Sequence, residues 1–479
     1  MAVAIAIALG ILAVAVALPG RLTRVFLGAL GVVLVGYAMW GRAFAYLGAP
    51  PLFVGEAVLA LGLFAAVADG QRWSVLRSPL GLAMTVFALW GLSRTLPYMS
   101  AYGVDALRDA VIWGYSAFAF LVVLLAPSNL DERVVGGYAK LVRWFLIWAP
   151  IGVILTRAVG DRLPTVLGSD VRILNVKAGD VGVHLAGAGA FLLLDLHRAV
   201  CREKSRRFAP QTWTFWLPWC CGLIVVGSLN RGGLLAVIAA IATVTLVRPL
   251  EGSRKLARVV LGTAFVVAAL VTFNLGVRFE TGRQVSPQQI VTNITSISHS
   301  RSDKGLEGSR QWRLLWWNAI VGYTVFGPYF WTGKGFGVNL ADADRFQVYA
   351  DRSLRSPHNG HLTILARSGV PGLVLWAIVQ LGFAASLVRA TLRAYRRRQE
   401  WWARVNIWIL GYWVAFMVNG AFDVFLEGPQ GGIWFWSLVG FGITTLHAQR
   451  RASTPLTVVT PRPNAVERAV VGVAGSHQR

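Results

Sequence analysis

The sequence predicts an all-α polytopic membrane protein with about 12–14 transmembrane helices and one large, partly helical loop on the non-cytoplasmic side. Three observations carry that expectation. Of the 479 residues, 55% are hydrophobic and only 14% charged, with a mean hydropathy of +0.56. Ordinary soluble domains carry about one quarter charged residues. The apolar residues gather in runs long enough to cross a bilayer, and the basic residues lie mainly between those runs. The 46 Lys+Arg against 22 Asp+Glu give a formal charge of +24. A basic chain often signals nucleic acid, but basic connectors between apolar runs signal a membrane, so no nucleic-acid partner is expected. Cys201, Cys220 and Cys221 show neither disulfide nor zinc spacing.

A span needs about 20 predominantly apolar residues. Thirteen runs qualify, near 2–18, 25–40, 51–68, 79–93, 109–126, 138–156, 181–197, 213–228, 232–247, 257–276, 369–390, 405–422 and 432–447. The first has no basic residues before it, which favours an uncleaved span over a signal peptide. The runs at 213–228 and 232–247 are almost contiguous and could form a re-entrant hairpin. Residues 1–276 therefore form an N-terminal bundle of about ten spans, 277–368 the large loop, 369–451 the C-terminal spans, and 452–479 a disordered tail rich in Pro, Thr, Val and Arg.

Orientation follows from the Lys/Arg bias of short connections. Arg21 with Arg24, Arg72 with Arg77, Arg198 with Arg202, Lys204, Arg206 and Arg207, and Arg248 with Arg254, Lys255 and Arg258 fall on alternate connections. Arg393, Arg396, Arg397, Arg398 and Arg404, then Arg450 and Arg451, continue the series. That side is cytoplasmic and includes the C-terminus. The long connection 277–368 then lies outside, carrying eleven Lys/Arg and six Asp/Glu, a net +5. Long loops escape the charge rule, but an ordered basic segment on the outer side suggests an anionic ligand. Within it, 309–325 reads as an amphipathic helix with Trp312, Leu315, Trp316 and Ala319 on one face. Its tryptophans suit an interfacial location. Pro328 ends it, and Gly333-Lys334-Gly335-Phe336-Gly337 reads as a tight turn.

Three patches carry a resemblance. They are Gly227-Ser228-Leu229-Asn230-Arg231-Gly232-Gly233, then Arg310 and Arg313 with Trp316, Trp317, Ala319 and Gly333-Lys334-Gly335, then Pro357-His358-Asn359-Gly360-His361-Leu362 with Gly369-Val370-Pro371-Gly372. Together they resemble the O-antigen ligase and lipid-linked polysaccharide polymerase superfamily, the GT-C-like glycosyltransferases of bacterial inner membranes. Leu107-Arg108-Asp109 with Tyr115, and Glu427-Gly428-Pro429 with Phe435 and Trp436, are weaker matches. In the first patch Leu229 and Asn230 are extra relative to the family's Ser-Arg-Gly turn. The resemblance implies a multi-pass inner-membrane enzyme with a periplasmic loop. Such an enzyme moves a glycan from a polyprenyl-diphosphate carrier to a hydroxyl, inverting and without metal or other cofactor. The implied partners are that donor, a glycan or lipid A–core acceptor, and membrane lipids.

The residue chemistry agrees. A departing lipid diphosphate needs its charge stabilised, and guanidinium pairs bidentately with phosphate. Arg231, at an outer turn between two spans, and Arg313 and Arg310, three apart on a helix, are the candidates, with snorkelling to headgroups as the bland alternative. Arg313 fits the family spacing to Trp317 and Ala319 better than Arg310 does. The acceptor hydroxyl needs a base, and His358 is the candidate, its ordinary pKa being about 6.5. The alternative is that His358 only helps order the start of the following helix, with Asn359 as N-cap. Asn359, Glu56 and Arg108 are possible cavity-lining residues, although Glu56 and Arg108 would equally serve in local ion pairs. His361 lies one turn from His358, but no carboxylate follows at metal spacing. His184 near a span end, His299 in a polar stretch, and Lys177 and Asp180 in an outer loop are expected to be structural or solvated.

No phosphate-binding Gly-x-x-x-x-Gly-Lys-Ser/Thr loop occurs, an absence that suits a preassembled lipid-linked donor. The motifs leave ligase, polymerase and protein O-oligosaccharyltransferase open. A transporter or flippase of lipid-linked sugars would show paired, interrupted halves, and no such symmetry is visible. A structural partner of an envelope assembly, binding anionic lipid through the basic loop, is a third possibility.

Overall fold

The computed structural model describes residues 20–69, 77–201, 213–248 and 304–453, with isolated positions at 257, 277–278, 284–286, 289 and 293. The runs at 2–18 and 257–276, His299, most of the connectors at 202–207 and 254–258, Arg72, and nearly all of the tail lie outside the described residues. The longer helices are α1 (Arg21–Trp40), α2 (Val54–Ala68), α3 (Pro79–Thr95), α4 (Val104–Gly114), α5 (Ser116–Leu124), α6 (Leu130–Val159) and α7 (Ala178–Leu193). They continue with α8 (Trp213–Leu229), α9 (Arg231–Val247), α10 (Lys304–Val325), α11 (Gly360–Arg396), α12 (Glu400–Gly420) and α13 (Pro429–Ser453). Strand structure among the described residues is confined to two-residue ladders.

The helical expectation holds, but fewer helices are long enough to span than the sequence suggested. Among the described residues three are long and apolar enough to cross a membrane alone, Arg21–Trp40, Leu130–Arg162 and Gly360–Arg396, and the pair α4 and α5, bent by 50°, adds a broken fourth. Helices α12 and α13, with 21 and 25 residues, are long enough but not apolar enough, and for four others the reason is length. Helices α2, α7, α8 and α9 have only 15, 16, 17 and 17 residues. At about 1.5 Å per residue these fall short of a hydrocarbon core of about 30 Å.

The core sits where α7, α9 and α12 pack on one another. Every residue of α7 is buried. Its sequence, Ala-Gly-Asp-Val-Gly-Val-His-Leu-Ala-Gly-Ala-Gly-Ala, lets backbones approach closely, as small residues do in membrane helix packing. A Cβ on Gly182 would stand 2.6 Å from the Cα of Gly233 on α9, and one on Gly187 would stand 2.6 Å from the ring of Tyr412 on α12. Around this triad α11 joins α12 and α3, while α5 lies on α13.

The amphipathic helix expected at 309–325 is α10. It buries Trp316 and Ile320, while Leu315 remains 63% exposed, so the apolar face runs Trp312, Trp316, Ile320 rather than through Leu315. The polar anchor is Asp344, which accepts from the indole of Trp316 at 2.7 Å and from the hydroxyl of Tyr323 at 3.2 Å, and pairs with Lys334. The expected glycine turn is present, with Gly333, Gly335 and Gly337 at φ of 58°, 84° and 102°. Only glycine takes these values freely, and a Cβ on Gly335 would also enter the ring of Tyr98.

Helix α11 breaks at Gly369 (φ 72°). The main-chain groups released there find partners. Ala366 O accepts from Lys334 N at 2.7 Å, Arg367 O from Gly335 N at 3.0 Å, and Ser368 O from the Trp90 indole at 2.9 Å. Val370 N donates to Phe330 O at 2.8 Å. Gly182→Ala is expected to destabilise the α7–α9 contact by about 1–3 kcal/mol, the usual cost of overpacking, read as a lowered thermal unfolding midpoint in detergent.

Candidate functional site

At one end of the bundle four segments converge. They are the first turn of α7, the α8–α9 turn, the α12–α13 turn and the chain just before α11. Asn230 caps α9, its Oδ1 accepting from Gly233 N at 2.7 Å. This explains why Leu229 and Asn230 are inserted in the motif: Leu229 closes α8 and Asn230 opens α9. A Cβ on Gly179 of α7 would lie 3.0 Å from Asn230 Nδ2 and 3.1 Å from Asp423 Oδ2, so Asn230 and Asp423 meet over that glycine. Asp423 belongs to the α12–α13 turn, where its Oδ1 accepts from Val424 N at 2.7 Å.

His358 enters from the other side. It stands at φ 53°, a left-handed conformation uncommon for a side-chain-bearing residue and worth a functional hypothesis. Trp317 of α10 donates its indole hydrogen to Pro357 O at 2.9 Å, fixing the chain just before it. Asn359 follows as the N-cap of α11, its Oδ1 accepting from His361 N and Leu362 N, both at 3.1 Å. Burial and the neighbouring Arg313 guanidinium hold the His358 imidazole below its ordinary range, with Asp423 opposing and Lys177 assisting. The imidazole is therefore neutral near pH 7 and able to take a proton.

The two candidate arginines of α10 part company. Arg313 is half-buried, donates from an Nη to Phe422 O at 3.3 Å and lies in the field of Asp423. Arg310 is exposed. Arg231, half-buried at the start of α9, donates from Nε to Asn293 Oδ1 at 3.4 Å, and Asn293 in turn donates to Gly227 O at 2.8 Å and Ser228 O at 2.9 Å. Hence Arg313 and His358 share one electrostatic neighbourhood, and Arg231 sits one residue beyond Asn230 at its edge.

Asp180 corrects the sequence reading. Expected in a solvated loop, it is on α7 and only 6% exposed, among the charges of Lys177, Asp423 and Arg42. Sequence reasoning missed Asp423, in the α12–α13 turn, and Arg42, which follows α1. Arg42 is tied to the site because its backbone N donates to Asn175 O at 3.1 Å, just before Lys177. No motif spacing signals either residue. Among the described residues, Asp180 Oδ2, Arg313 Nε and both amide atoms of Asn419 are buried without a hydrogen-bond partner. Buried polar atoms are normally satisfied, so their presence around one turn marks a polar site.

Other candidates lie elsewhere. Glu56 caps α2 by accepting from Phe53 N at 3.3 Å and also accepts from the Tyr115 hydroxyl. Arg108 is half-exposed and pairs with Asp105 at 3.5 Å and Asp109 at 3.7 Å. His361 spends both ring nitrogens, accepting at Nδ1 from the Trp376 indole (3.1 Å) and donating at Nε2 to Met417 O (3.0 Å). His184 is buried against Tyr412.

Three of the loop's basic residues, Lys334, Arg355 and Arg367, are paired with carboxylates. Asp109 of α4, 8% exposed, binds Arg355 at 2.9 Å and Arg367 at 2.9 Å, and accepts from Gly337 N at 3.1 Å. Arg355 also reaches Asp105 at 3.3 Å and Gly337 O at 2.8 Å, while Arg367 reaches Val338 O at 3.0 Å. Arg355 and Arg367 thus hold the loop to the bundle, Lys334 is paired within the loop by Asp344, and Arg313 is a loop arginine that faces His358.

Residues 216–377 match the family model for O-antigen ligase, the superfamily that the three motifs resemble. The match takes in α9, α10, Arg231, Arg313, His358 and the break in α11. No curated protein matches the chain.

Arg367→Met should lower stability by about 3–5 kcal/mol, because it removes one partner of a buried charge. Arg108→Ala, on the exposed side of the same carboxylate, should cost less than about 1 kcal/mol. Thermal unfolding midpoints of the two variants distinguish these outcomes.

Proposed function

We propose that the protein is a membrane glycosyltransferase that moves a glycan from a polyprenyl-diphosphate carrier to a hydroxyl of an acceptor glycan or lipid A–core. In this reading the reaction occurs on the periplasmic face of the bacterial inner membrane, with the C-terminus cytoplasmic. The carrying observation is the neutral, left-handed His358 beside Arg313 and Asp423, inside the segment that matches the O-antigen ligase family. An O-antigen ligase or polysaccharide polymerase fits best, and a protein hydroxyl acceptor would use the same residues.

The chemistry follows from those groups. The acceptor oxygen attacks the anomeric carbon as His358 takes its proton. The bond from that carbon to the phosphate oxygen breaks on the opposite face, and the electron pair leaves with the lipid diphosphate. A single displacement inverts the anomeric centre. Arg313 and Arg231 stabilise the departing charge through guanidinium–phosphate hydrogen bonds. These fixed cations supply the role a divalent metal fills in nucleotide-sugar transferases. Asp423 limits the repulsion between Arg313 and the imidazolium that forms. Among the shorter helices α7 is wholly covered by protein, and it lies in the bundle that carries the site.

The interrupted α11 is the feature a carrier would share. Its break is closed by main-chain hydrogen bonds from the loop, an arrangement that favours a fixed scaffold over an alternating gate.

His358→Ala should abolish transfer in purified, reconstituted protein supplied with a polyprenyl-diphosphate-linked oligosaccharide and acceptor; full activity would defeat the proposed base. Arg231→Lys should retain charge yet lose at least about tenfold in rate if bidentate phosphate contact matters. The pH–rate profile carries a third expectation. The base works above its folded pKa and is lost as pH falls through it, so the acid limb should lie below the ordinary 6.5. Arg313→Gln removes a cation that depresses this pKa and should move the limb towards higher pH.

A further inference from the structure

The α12–α13 turn carries two carboxylates four residues apart. Asp423 faces the site. Glu427, in the 3-10 turn Phe425–Glu427, points elsewhere: its Oε1 lies 2.8 Å from Thr363 Oγ1, and its carboxyl also hydrogen-bonds the Ser356 side chain. Ser356 is 6% and Thr363 1% exposed. They flank His358, one two residues before it and the other five after. Thr363 Oγ1 also stands 3.0 Å from Asn359 O, the carbonyl of the residue that caps α11.

We propose that Glu427 is a positioning residue that staples the chain on both sides of His358 and so maintains the left-handed backbone that aims the imidazole at the acceptor. It touches no substrate and acts through Ser356, Thr363 and Asn359. This inference deepens the glycosyltransferase reading and rests on it for the word acceptor, though the staple itself does not.

The hydrogen-bond count separates the two forms of the carboxyl: both hold Ser356 and Thr363, and the protonated one also leaves the threonine proton for Asn359 O. Thr363 has one hydroxyl proton and two acceptors in reach, Asn359 O and Glu427 Oε1. A protonated Glu427 donates to Thr363 Oγ1, leaving the threonine proton for Asn359 O, and its other oxygen accepts from Ser356. An ionised Glu427 takes the threonine proton and leaves Asn359 O to the helix alone. The groups facing the carboxyl are Ser356, Thr363 and Arg367 from the loop and α11, and Asp109 from α4. Burial outweighs Thr363, Arg367 and Ser356, and with help from Asp109 raises the group from 4.5 to about 7.

The test uses the full chain and two readouts. Diethyl pyrocarbonate modification of His358, followed by mass spectrometry with His447 as internal reference, reports the setting of the imidazole without any substrate. Glu427→Ala and Thr363→Val should each raise the His358 rate severalfold, and Glu427→Gln, which can both donate and accept, should leave it near wild type. Transfer from an extracted polyprenyl-diphosphate-linked oligosaccharide should fall at least tenfold in kcat in Glu427→Ala with little change in donor KM. Glu427→Gln should retain activity and lose the decline above about pH 7 that ionisation of Glu427 imposes on the wild type. Unchanged His358 modification in both Glu427→Ala and Thr363→Val overturns the staple, as does wild-type kcat in Glu427→Ala. Normal transfer by His358→Ala would defeat the base reading instead, and would leave the modification result standing.

Discussion

The structure depends on one buried carboxylate. Asp109 draws Arg355 and Arg367 and a glycine amide of the 333–337 turn onto α4. An unpaired charge at that depth would cost several kcal/mol, so neither the arginines nor the aspartate can be left alone. The loop is thereby closed onto the bundle at its far end, between α10 and α11. Everything on the short path from Arg355 to Arg367 inherits that fixed position, including His358, Asn359 and Thr363.

The site is consequently gripped from several directions by elements distant in sequence. Trp317 of α10 holds the carbonyl of Pro357, and Asn359 binds the first turn of α11. The α12–α13 turn presents Asp423 to the imidazole side. None of these contacts is repeated elsewhere, and together they keep a strained residue in place. Strain of this kind persists where surroundings over-determine it. Three of the eleven basic residues that first suggested an anionic ligand, Lys334, Arg355 and Arg367, are spent on this architecture, whereas Arg313 faces the His358 side.

Local patterns made the helices, the glycine turn, the cap Asn359 and the family motifs legible in the sequence, because each is encoded by neighbouring residues. Span number was less legible. Hydropathy marks apolar runs, but it does not distinguish a lipid-facing helix of full thickness from a 16-residue α7 whose every side is covered by protein. Leu315 was assigned to the wrong side of α10 because spacing alone does not choose among adjacent stripes of one helix. Asp180 was misplaced, and Asp423 and Arg42 escaped notice, for a different reason. Their proximity is created by the α7–α9–α12 packing, over separations of hundreds of residues, and no local spacing records it.

The break in α11 has a consequence for how the chain is made. Hydrocarbon offers no partners for free carbonyls, and those of Ala366, Arg367 and Ser368 are satisfied by Lys334, Gly335 and Trp90. All three donors are synthesised before the helix that needs them. The order of translation thus delivers the partners before the helix that uses them. The break in α11 is thereby completed as a tertiary folding step, by the 333–335 turn and α3, and is not a property of the helix's own hydrophobicity.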